Sequence, residues 1–158
     1  MAQQLHIPQN ATKAEKYEAL YPQMQALLDT ETDIVANMAN FVAVLREAFG
    51  FFWVGFYVVK NNQLVLAPFQ GPVACTRIPF GKGVCGTAWK QRQTIVVPDV
   101  EQFPGHIACS ALSRSEIVVP VWKDNEVVAV LDVDCTELNT FDEIDAEWLE
   151  KFVTLLRF

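Results

Sequence analysis

The sequence predicts a single α+β domain, with a central, mainly antiparallel sheet and helices from both ends of the chain packed on one side of it. Three observations support this fold class. Helical periodicity with capping signals occurs at both ends, apolar runs with a period of two lie between them, and turn residues separate these runs. The chain has 158 residues, of which 51% are hydrophobic, and this suffices for one core. We therefore expect one domain over residues 1–158.

The first two helices are predicted from their polar capping residues. Thr12 followed by Glu15 forms a capping box, and the helix that it opens is expected to be interrupted near Pro22. Thr30 with Asp33 introduces the second helix in the same way. Together these helices form a helical layer at the N-terminal end.

Glycine and threonine mark the other helix boundaries. Gly50 ends the second helix, and glycines open a short helix over residues 83–92. Thr140 with Glu143 forms a capping box for the C-terminal helix. The stripe of that helix expected to be buried comprises Ile144, Trp148, Phe152 and Leu156.

Two β-hairpins and one shorter strand account for the sheet. The turns are Asn61 with Asn62 in the first hairpin and Asp124 with Asn125 in the second. The shorter strand lies within residues 94–99. The hairpin strands comprise residues 51–59, 63–69, 116–123 and 126–135. Because hairpins join neighbouring strands, most of the sheet is antiparallel.

Charge and hydropathy exclude several classes of partner. The net charge is −7, and no cluster of lysine or arginine is present to neutralise phosphates, so nucleic acid is not an expected partner. No window approaches the roughly 18 apolar residues that span a bilayer, and the first 20 residues lack the apolar core of a signal peptide. We expect a cytoplasmic protein, in which structural disulfides are rare and thiols serve chemistry.

Thiol chemistry is predicted around residue 109. Cys109 lies in the irregular segment 100–115 among small residues, where His106 and Arg114 favour its thiolate; the alternative is a buried loop cysteine. Cys75 and Cys85 flank a glycine-rich loop that can bring a second thiol to an oxidised first one. The fourth cysteine, Cys135, ends an apolar strand and is expected to pack.

Carboxyl groups form a second candidate cluster. Asp132 and Asp134 alternate along one strand and so project from the same face, unless they mark an exposed strand end. A regular ladder from the tight turn would place Glu116 on the opposite face. A one-residue bulge near Pro120 would instead place Glu116 opposite Asp132. We therefore predict an irregularity at that proline.

An aromatic pair completes the predicted pocket. Trp53 and Tyr57 share a strand face with Gly55 between them, which leaves a gap for a small apolar group; packing in the core is the alternative. The two histidines, His6 and His106, match no recognised ligand spacing with the cysteines, so no metal site is expected.

The chain resembles the free methionine-(R)-sulfoxide reductases, which are single GAF-fold domains. The resemblance rests on "GPVACTRIPFGKGVCGTAW", "DVEQFPGHIACSALSRSEIVVPV" and "VLDVDC", and three cysteines match those of the family in order and spacing. It implies that Cys109 attacks the sulfoxide sulfur of free methionine sulfoxide. It also implies that Cys75 is the main resolving thiol and Cys85 an alternative one.

The resemblance also assigns the pocket. Trp53 and Tyr57 would bind the methyl end, and Glu116, Asp132 and Asp134 would form the acidic cluster. A clustered carboxyl has a raised pKa and can protonate the sulfoxide oxygen, while the remaining carboxylates hold the substrate ammonium. Which of the three donates the proton stays open.

The same resemblance implies the catalytic cycle. Cys109 becomes a sulfenic acid, an intramolecular disulfide follows, and thioredoxin reduces it, without flavin, nicotinamide or metal. The R epimer is implied by the family alone, and a homodimer is expected from the family and from the apolar content of the chain. The alternative function is a non-catalytic GAF module that binds a small ligand and senses redox state.

Overall fold

A computed structural model describes residues 2–158 and has the predicted α+β fold. The helices in that range are α1 (Lys13–Asp29), α2 (Ile34–Phe49), α3 (Gly83–Gln91) and α4 (Glu143–Val153), with a 3-10 turn at Val100–Gln102. The strands are β1 (Trp53–Lys60), β2 (Gln63–Gln70), β3 (Arg77–Pro79), β4 (Ile95–Val97), β5 (Ser115–Lys123) and β6 (Glu126–Cys135). None of these helices has the length and apolarity that crossing a membrane requires.

The six strands form one antiparallel sheet in the order β3-β2-β1-β6-β5-β4. Both predicted hairpin turns are confirmed. Asn61, Asn62, Asp124 and Asn125 all have positive φ angles between 51° and 63°, which two-residue turns need to match the twist of the strands. The two hairpins meet where β1 pairs with β6, so these two strands form the centre of the sheet.

Alternation along the central strands separates two apolar clusters. Val54, Phe56 and Leu131 point to one face and pack with α1, α2 and α4. Tyr57 and Val130 point to the other face and pack with α3. The helices from both ends of the chain therefore share one face, as predicted, and leave the opposite face to α3 and its flanking loops.

Helix α1 begins at the predicted capping box but is continuous where an interruption was predicted. The box of Thr12 and Glu15 is present, whereas the interruption expected near Pro22 is wrong, because α1 continues through this proline. Proline removes one backbone donor from the helix. Leu20 and Met24, on either side of it, are fully buried, and this packing holds the helix together.

Two predicted helix caps lie slightly off their observed positions. The cap of α2 is Asp33 rather than Thr30, and its carboxylate accepts a backbone N–H at 2.9 Å. The cap of α4 is Asp142 rather than Thr140, and Asp145 completes its capping box. In both cases a carboxylate lies nearer to the first helical turn, where negative charge stabilises the helix dipole.

The buried side of α4 is also rotated from its predicted position. Ile144 is 37% exposed and Trp148 is half-buried, so neither belongs to the fully buried stripe. Asp145 instead points inward, where it accepts hydrogen bonds from the Tyr17 hydroxyl and the Lys13 ammonium, each at 2.6 Å. The apolar residues of the observed stripe are Leu149, Phe152, Val153 and Leu156. The contact of Asp145 with Tyr17 and Lys13 joins α4 to α1, at opposite ends of the chain.

Candidate active site

A pocket opens on the face of the sheet that the terminal helices leave free. Its floor consists of β1, β5 and β6, α3 forms one wall, and segments 71–76 and 103–114 surround its mouth. The predicted site residues that line it are Trp53, Tyr57, Cys85, Cys109, Glu116, Asp132 and Asp134. The remaining one, Cys75, is bonded to the lining residue Cys109.

Three carboxyl side chains lie together on the pocket floor. Asp132 lies opposite Gly55 of β1, and Asp134 lies opposite Glu116 of β5. The exposed fractions are 5% for Glu116, 6% for Asp132 and 9% for Asp134. Strand pleating puts the two aspartates on one face, and the ladder places Glu116 beside them. The alternative of an exposed strand end is therefore excluded.

The position of Glu116 depends on a bulge. The β5–β6 ladder is irregular near Pro120, as predicted, but the extra residue is Val128 on β6 rather than a residue of β5. The predicted partner, Asp132, is therefore wrong, and Glu116 lies opposite Asp134. A single inserted residue on either strand changes the parity of the ladder, which is why the face was predicted correctly and the partner was not.

Burial raises the pKa of all three carboxyl groups. Desolvation is the main cause in each case, and charge repulsion from Asp132 adds to it for Glu116 and Asp134. Hydrogen bonds with Glu116 and Cys85 oppose the rise in the pKa of Asp132. Within residues 2–158, no lysine or arginine lines the pocket, and Asp132 Oδ1 is buried without a hydrogen-bond partner. The cluster therefore retains protons that exposed carboxyls lose, and it has one unused acceptor.

A disulfide closes one side of the pocket mouth. It joins Cys75 to Cys109, whose Cα atoms are 5.4 Å apart. Cys109 is exposed and Cys75 is half-buried, so the bond is open to an external reductant. The glycine-rich loop and the irregular segment thus meet through the two cysteines.

The third pocket cysteine differs from the disulfide pair. Cys85 is a buried free thiol, and desolvation, reinforced by the charge of Asp132, raises its pKa well above the usual range. Its sulfur and one oxygen each of Glu116 and Asp132 lie within 4.8 Å of one another, so these residues could hold a metal ion. Cys135 is free and half-buried, and it packs against the apolar cluster formed with α1, α2 and α4, as its sequence context predicted.

The aromatic pair tethers the segment that carries Cys75. Trp53 Nε1 donates a hydrogen bond to the Pro72 carbonyl oxygen at 3.1 Å, and the Tyr57 hydroxyl donates one to the Cys75 carbonyl oxygen at 2.9 Å. The two rings stack with centroids 6.0 Å apart. Both side chains therefore present apolar ring faces to the pocket, while their polar groups are hydrogen-bonded to the backbone of its rim.

The gap predicted above Gly55 is wrong. A Cβ atom at this position would lie 2.4 Å from Phe69 Cβ and 2.6 Å from the Trp53 ring, so the space is already filled. Gly55 is needed because the side chains of β1 and β2 close over it. Any apolar part of a ligand must rest against the rings rather than between them.

The histidine of the irregular segment lies beside the carboxyl cluster. His106 Nε2 lies 3.7 Å from Glu116 Oε1, and desolvation lowers the pKa of His106. Desolvation thus favours the neutral imidazole, and promotion of the Cys109 thiolate by His106 stays a prediction. Arg114 is exposed and lies outside the pocket lining, and its effect on this thiolate also stays a prediction.

Ser113 is a pocket residue absent from the sequence-based predictions. Its hydroxyl forms a hydrogen bond with Asp134, which partly offsets the rise in the pKa of this carboxyl. The residue lies in segment 100–115, which has neither helical nor strand periodicity, so no pattern indicated its direction.

The fold and the pocket together define the class of protein. A sheet with the terminal helices on one face and a ligand-sized pocket on the other agrees with a match of residues 29–158 to the GAF domain family. The chain belongs to this family.

Comparison with similar proteins and solved structures identifies relatives within the GAF domain family. The chain is 58% identical over 157 residues to GAF domain-containing protein A of Dictyostelium discoideum, with 99% of each chain covered. It is 41% identical over 164 residues to the free methionine-R-sulfoxide reductase of Saccharomyces cerevisiae, covering 98% of this chain and 91% of the relative. The free methionine-R-sulfoxide reductase of Neisseria meningitidis, solved by X-ray crystallography with its substrate, is 55% identical, with a TM-score of 0.95. That match covers 97% of this chain and 92% of the other.

Proposed function

We propose that this protein reduces free L-methionine-R-sulfoxide to L-methionine, with residues 1–158 acting as one catalytic domain. One observation carries the proposal. A Cys75–Cys109 disulfide lies at the mouth of a pocket whose floor is three buried carboxyl groups. The disulfide is the oxidised product of a thiol reaction. The carboxyl groups are a source of protons and of negative charge that can bind an amino group.

The reaction begins with oxygen transfer to Cys109. Its thiolate attacks the sulfoxide sulfur while a pocket carboxyl protonates the oxygen, which forms a transient bond between the two sulfurs. The hydroxyl then passes from the substrate sulfur to the Cys109 sulfur, the bond between the two sulfurs breaks, and methionine leaves. The substrate gains two electrons, and Cys109 becomes a sulfenic acid. Cys75 then displaces water from the oxidised sulfur to form the disulfide. The Cα separation of 5.4 Å supports this direct step, and the buried neutral Cys85 is left as an alternative resolving thiol.

The carboxyl cluster divides into two roles. Glu116 and Asp134 have strongly raised pKa values and serve as candidates for the proton donor. Asp132 has a buried oxygen without a partner, so it suits the substrate ammonium, which needs an acceptor. Trp53 and Tyr57 offer ring faces to the methyl end. An ammonium contact of this kind selects the free amino acid over methionine in a polypeptide, which has no free amino group.

Thioredoxin completes the cycle by reducing the disulfide with two electrons. Exposure of Cys109 supports attack by an external thiol, and the potential of thioredoxin, about −270 mV, suits a donor in the cytoplasm. No other cofactor is required by this chemistry. The family resemblance also supports a homodimer, which sedimentation velocity tests directly.

Methionine release tests the proposal. The reduced protein is given free L-methionine-R-sulfoxide with thioredoxin, and the S epimer serves as the substrate control. Cys109→Ser should abolish release, whereas Cys135→Ser, which removes a free cysteine outside the pocket, should not. Equal release from Cys109→Ser would refute the role of this thiol. A folded, reduced protein that forms the disulfide with an oxidant but releases no methionine would instead support a redox-sensing GAF module.

A further inference from the structure

Three potential metal ligands converge on the pocket floor from three elements. Cys85 comes from α3, Glu116 from β5 and Asp132 from β6, and all three are buried. Their sulfur and oxygen atoms lie within 4.8 Å of one another. Ligands of a tetrahedral zinc ion lie about 3.5 Å apart, given zinc–ligand bonds of about 2.0–2.3 Å. Small side-chain movements therefore suffice to bring the three atoms around one ion.

The cluster lacks the positive charge that its acids would need when ionised. Asp132 Oδ1 is buried, and no donor within the described residues reaches it. The pocket lining over the same residues contains no lysine or arginine. An unpartnered buried acceptor is costly, and a cation placed beside it removes that cost. The mixture of one thiol and two carboxyl groups suits a borderline cation such as Zn²⁺ better than Ca²⁺ or Mg²⁺, which prefer oxygen ligands alone.

A fourth potential ligand lies beside one of these three. His106 Nε2 lies 3.7 Å from Glu116 Oε1, and both side chains line the pocket. A neutral imidazole is a common zinc ligand. The segment that carries His106 also carries Cys109, so the histidine reaches the floor from the mouth of the pocket.

We propose that this pocket binds one Zn²⁺ ion through Cys85, Glu116 and Asp132, with His106 as the fourth ligand. The ion takes the place that the proposed function gives to the substrate ammonium, so zinc excludes methionine sulfoxide. Cys85 is outside the disulfide, and the site is therefore available while Cys75 and Cys109 are bonded. Binding releases the Cys85 thiol proton, because zinc coordinates the thiolate.

Metal binding to the oxidised protein tests the site without any need for turnover. With Cys75 and Cys109 bonded, zinc is titrated by calorimetry, and Co²⁺ reports thiolate coordination by its charge-transfer absorption. We expect one ion per chain for the native sequence and for Cys135→Ser, the matched control. Cys85→Ser and Asp132→Asn should weaken zinc binding at least tenfold, and Cys85→Ser should remove the cobalt–thiolate band.

Several results would overturn the proposal. These are no zinc binding by the oxidised native chain, unchanged affinity in Cys85→Ser, or loss of binding in Cys135→Ser. Circular dichroism of each variant shows that it is folded, and the cobalt band identifies the thiolate independently of affinity.

Competition tests the overlap with the substrate pocket. Free methionine sulfoxide should lower the apparent zinc affinity, after correction for its own chelation of zinc in a blank titration. In the reductase assay, zinc should raise KM and leave kcat unchanged. Zinc binding that the sulfoxide does not affect would refute the shared position. Because the titration needs no methionine release, failure of the reductase function leaves the zinc result readable.

Discussion

Replacing Tyr17 by phenylalanine should destabilise the protein through one buried hydrogen bond. The Tyr17 hydroxyl donates to Asp145 Oδ1 at 2.6 Å, and the two residues are 0% and 1% exposed. Burial and the adjacent carboxylate raise the pKa of Tyr17 well above its usual value, so the hydroxyl stays a donor. Removing it leaves a buried carboxylate oxygen without this donor, while Lys13 still contacts the other oxygen. Hydrogen bonds to charged groups contribute about 1.5–3 kcal/mol, and we expect a loss of that size.

Urea unfolding at fixed redox state measures this loss, and thermal unfolding should show a Tm lower by about 3–12 °C for a chain of this length. Tyr21→Phe is the matched control. Tyr21 lies four residues further along α1, is half-buried and packs against Phe152 with ring centroids 5.5 Å apart. Its hydroxyl should contribute less than about 0.5 kcal/mol. Equal losses in the two variants would refute the assignment of the free energy to the Asp145 contact.

Three further predictions concern the pocket. Gly55→Ala places a methyl group 2.4 Å from Phe69 Cβ and should lower the free energy of unfolding by about 1–3 kcal/mol. No loss in urea unfolding would contradict this close packing. Tyr57→Phe removes a neutral hydrogen bond to Cys75, worth about 0.5–1.5 kcal/mol. If that bond exists only in the oxidised protein, the disulfide potential should rise by about 10–30 mV in a glutathione titration; no change would show that the bond persists on reduction. Asp134 has a raised pKa, so the folded chain holds a proton that the unfolded chain loses, and stability falls as pH rises above the usual aspartate range. Asp134→Asn should flatten this fall in Tm against pH, and an unchanged profile would refute the assignment.

Local signals predicted the sheet better than the helix ends. The turns at Asn61 and Asp124 determine their hairpins within two residues, so the hairpins follow from the sequence. The predicted cap of α4, Thr140, lies only two positions before Asp142. Asp142 is the observed cap, with Asp145 at the third helical position and turned toward Tyr17, which is 128 residues away in sequence. The periodicity of one helix carries no information about a contact with a distant residue, so the cap could not be predicted from it.

The site shows the same division between local and long-range information. Strand pleating alone placed Asp132 and Asp134 on one face. The partner of Glu116 required knowing which strand carries the bulge, and the ladder locates it at Val128. The space above Gly55 depends on a side chain from the neighbouring strand, which the pattern within β1 does not contain. Contacts between strands therefore decide the details that periodicity leaves open.

The Cys75–Cys109 bond also changes the topology of the chain. It closes a loop with a sequence separation of 34 that contains β3, α3 and β4, of which β3 and α3 line the pocket. In the chain-entropy description, closing a loop of this length restricts the unfolded chain by about 4 kcal/mol. Under the proposed cycle, each turnover therefore alternates between a cross-linked and an open chain with different resistance to unfolding. Reduction of the disulfide therefore lowers the resistance of this loop to local unfolding. We expect limited proteolysis of the reduced protein to begin between the two cysteines.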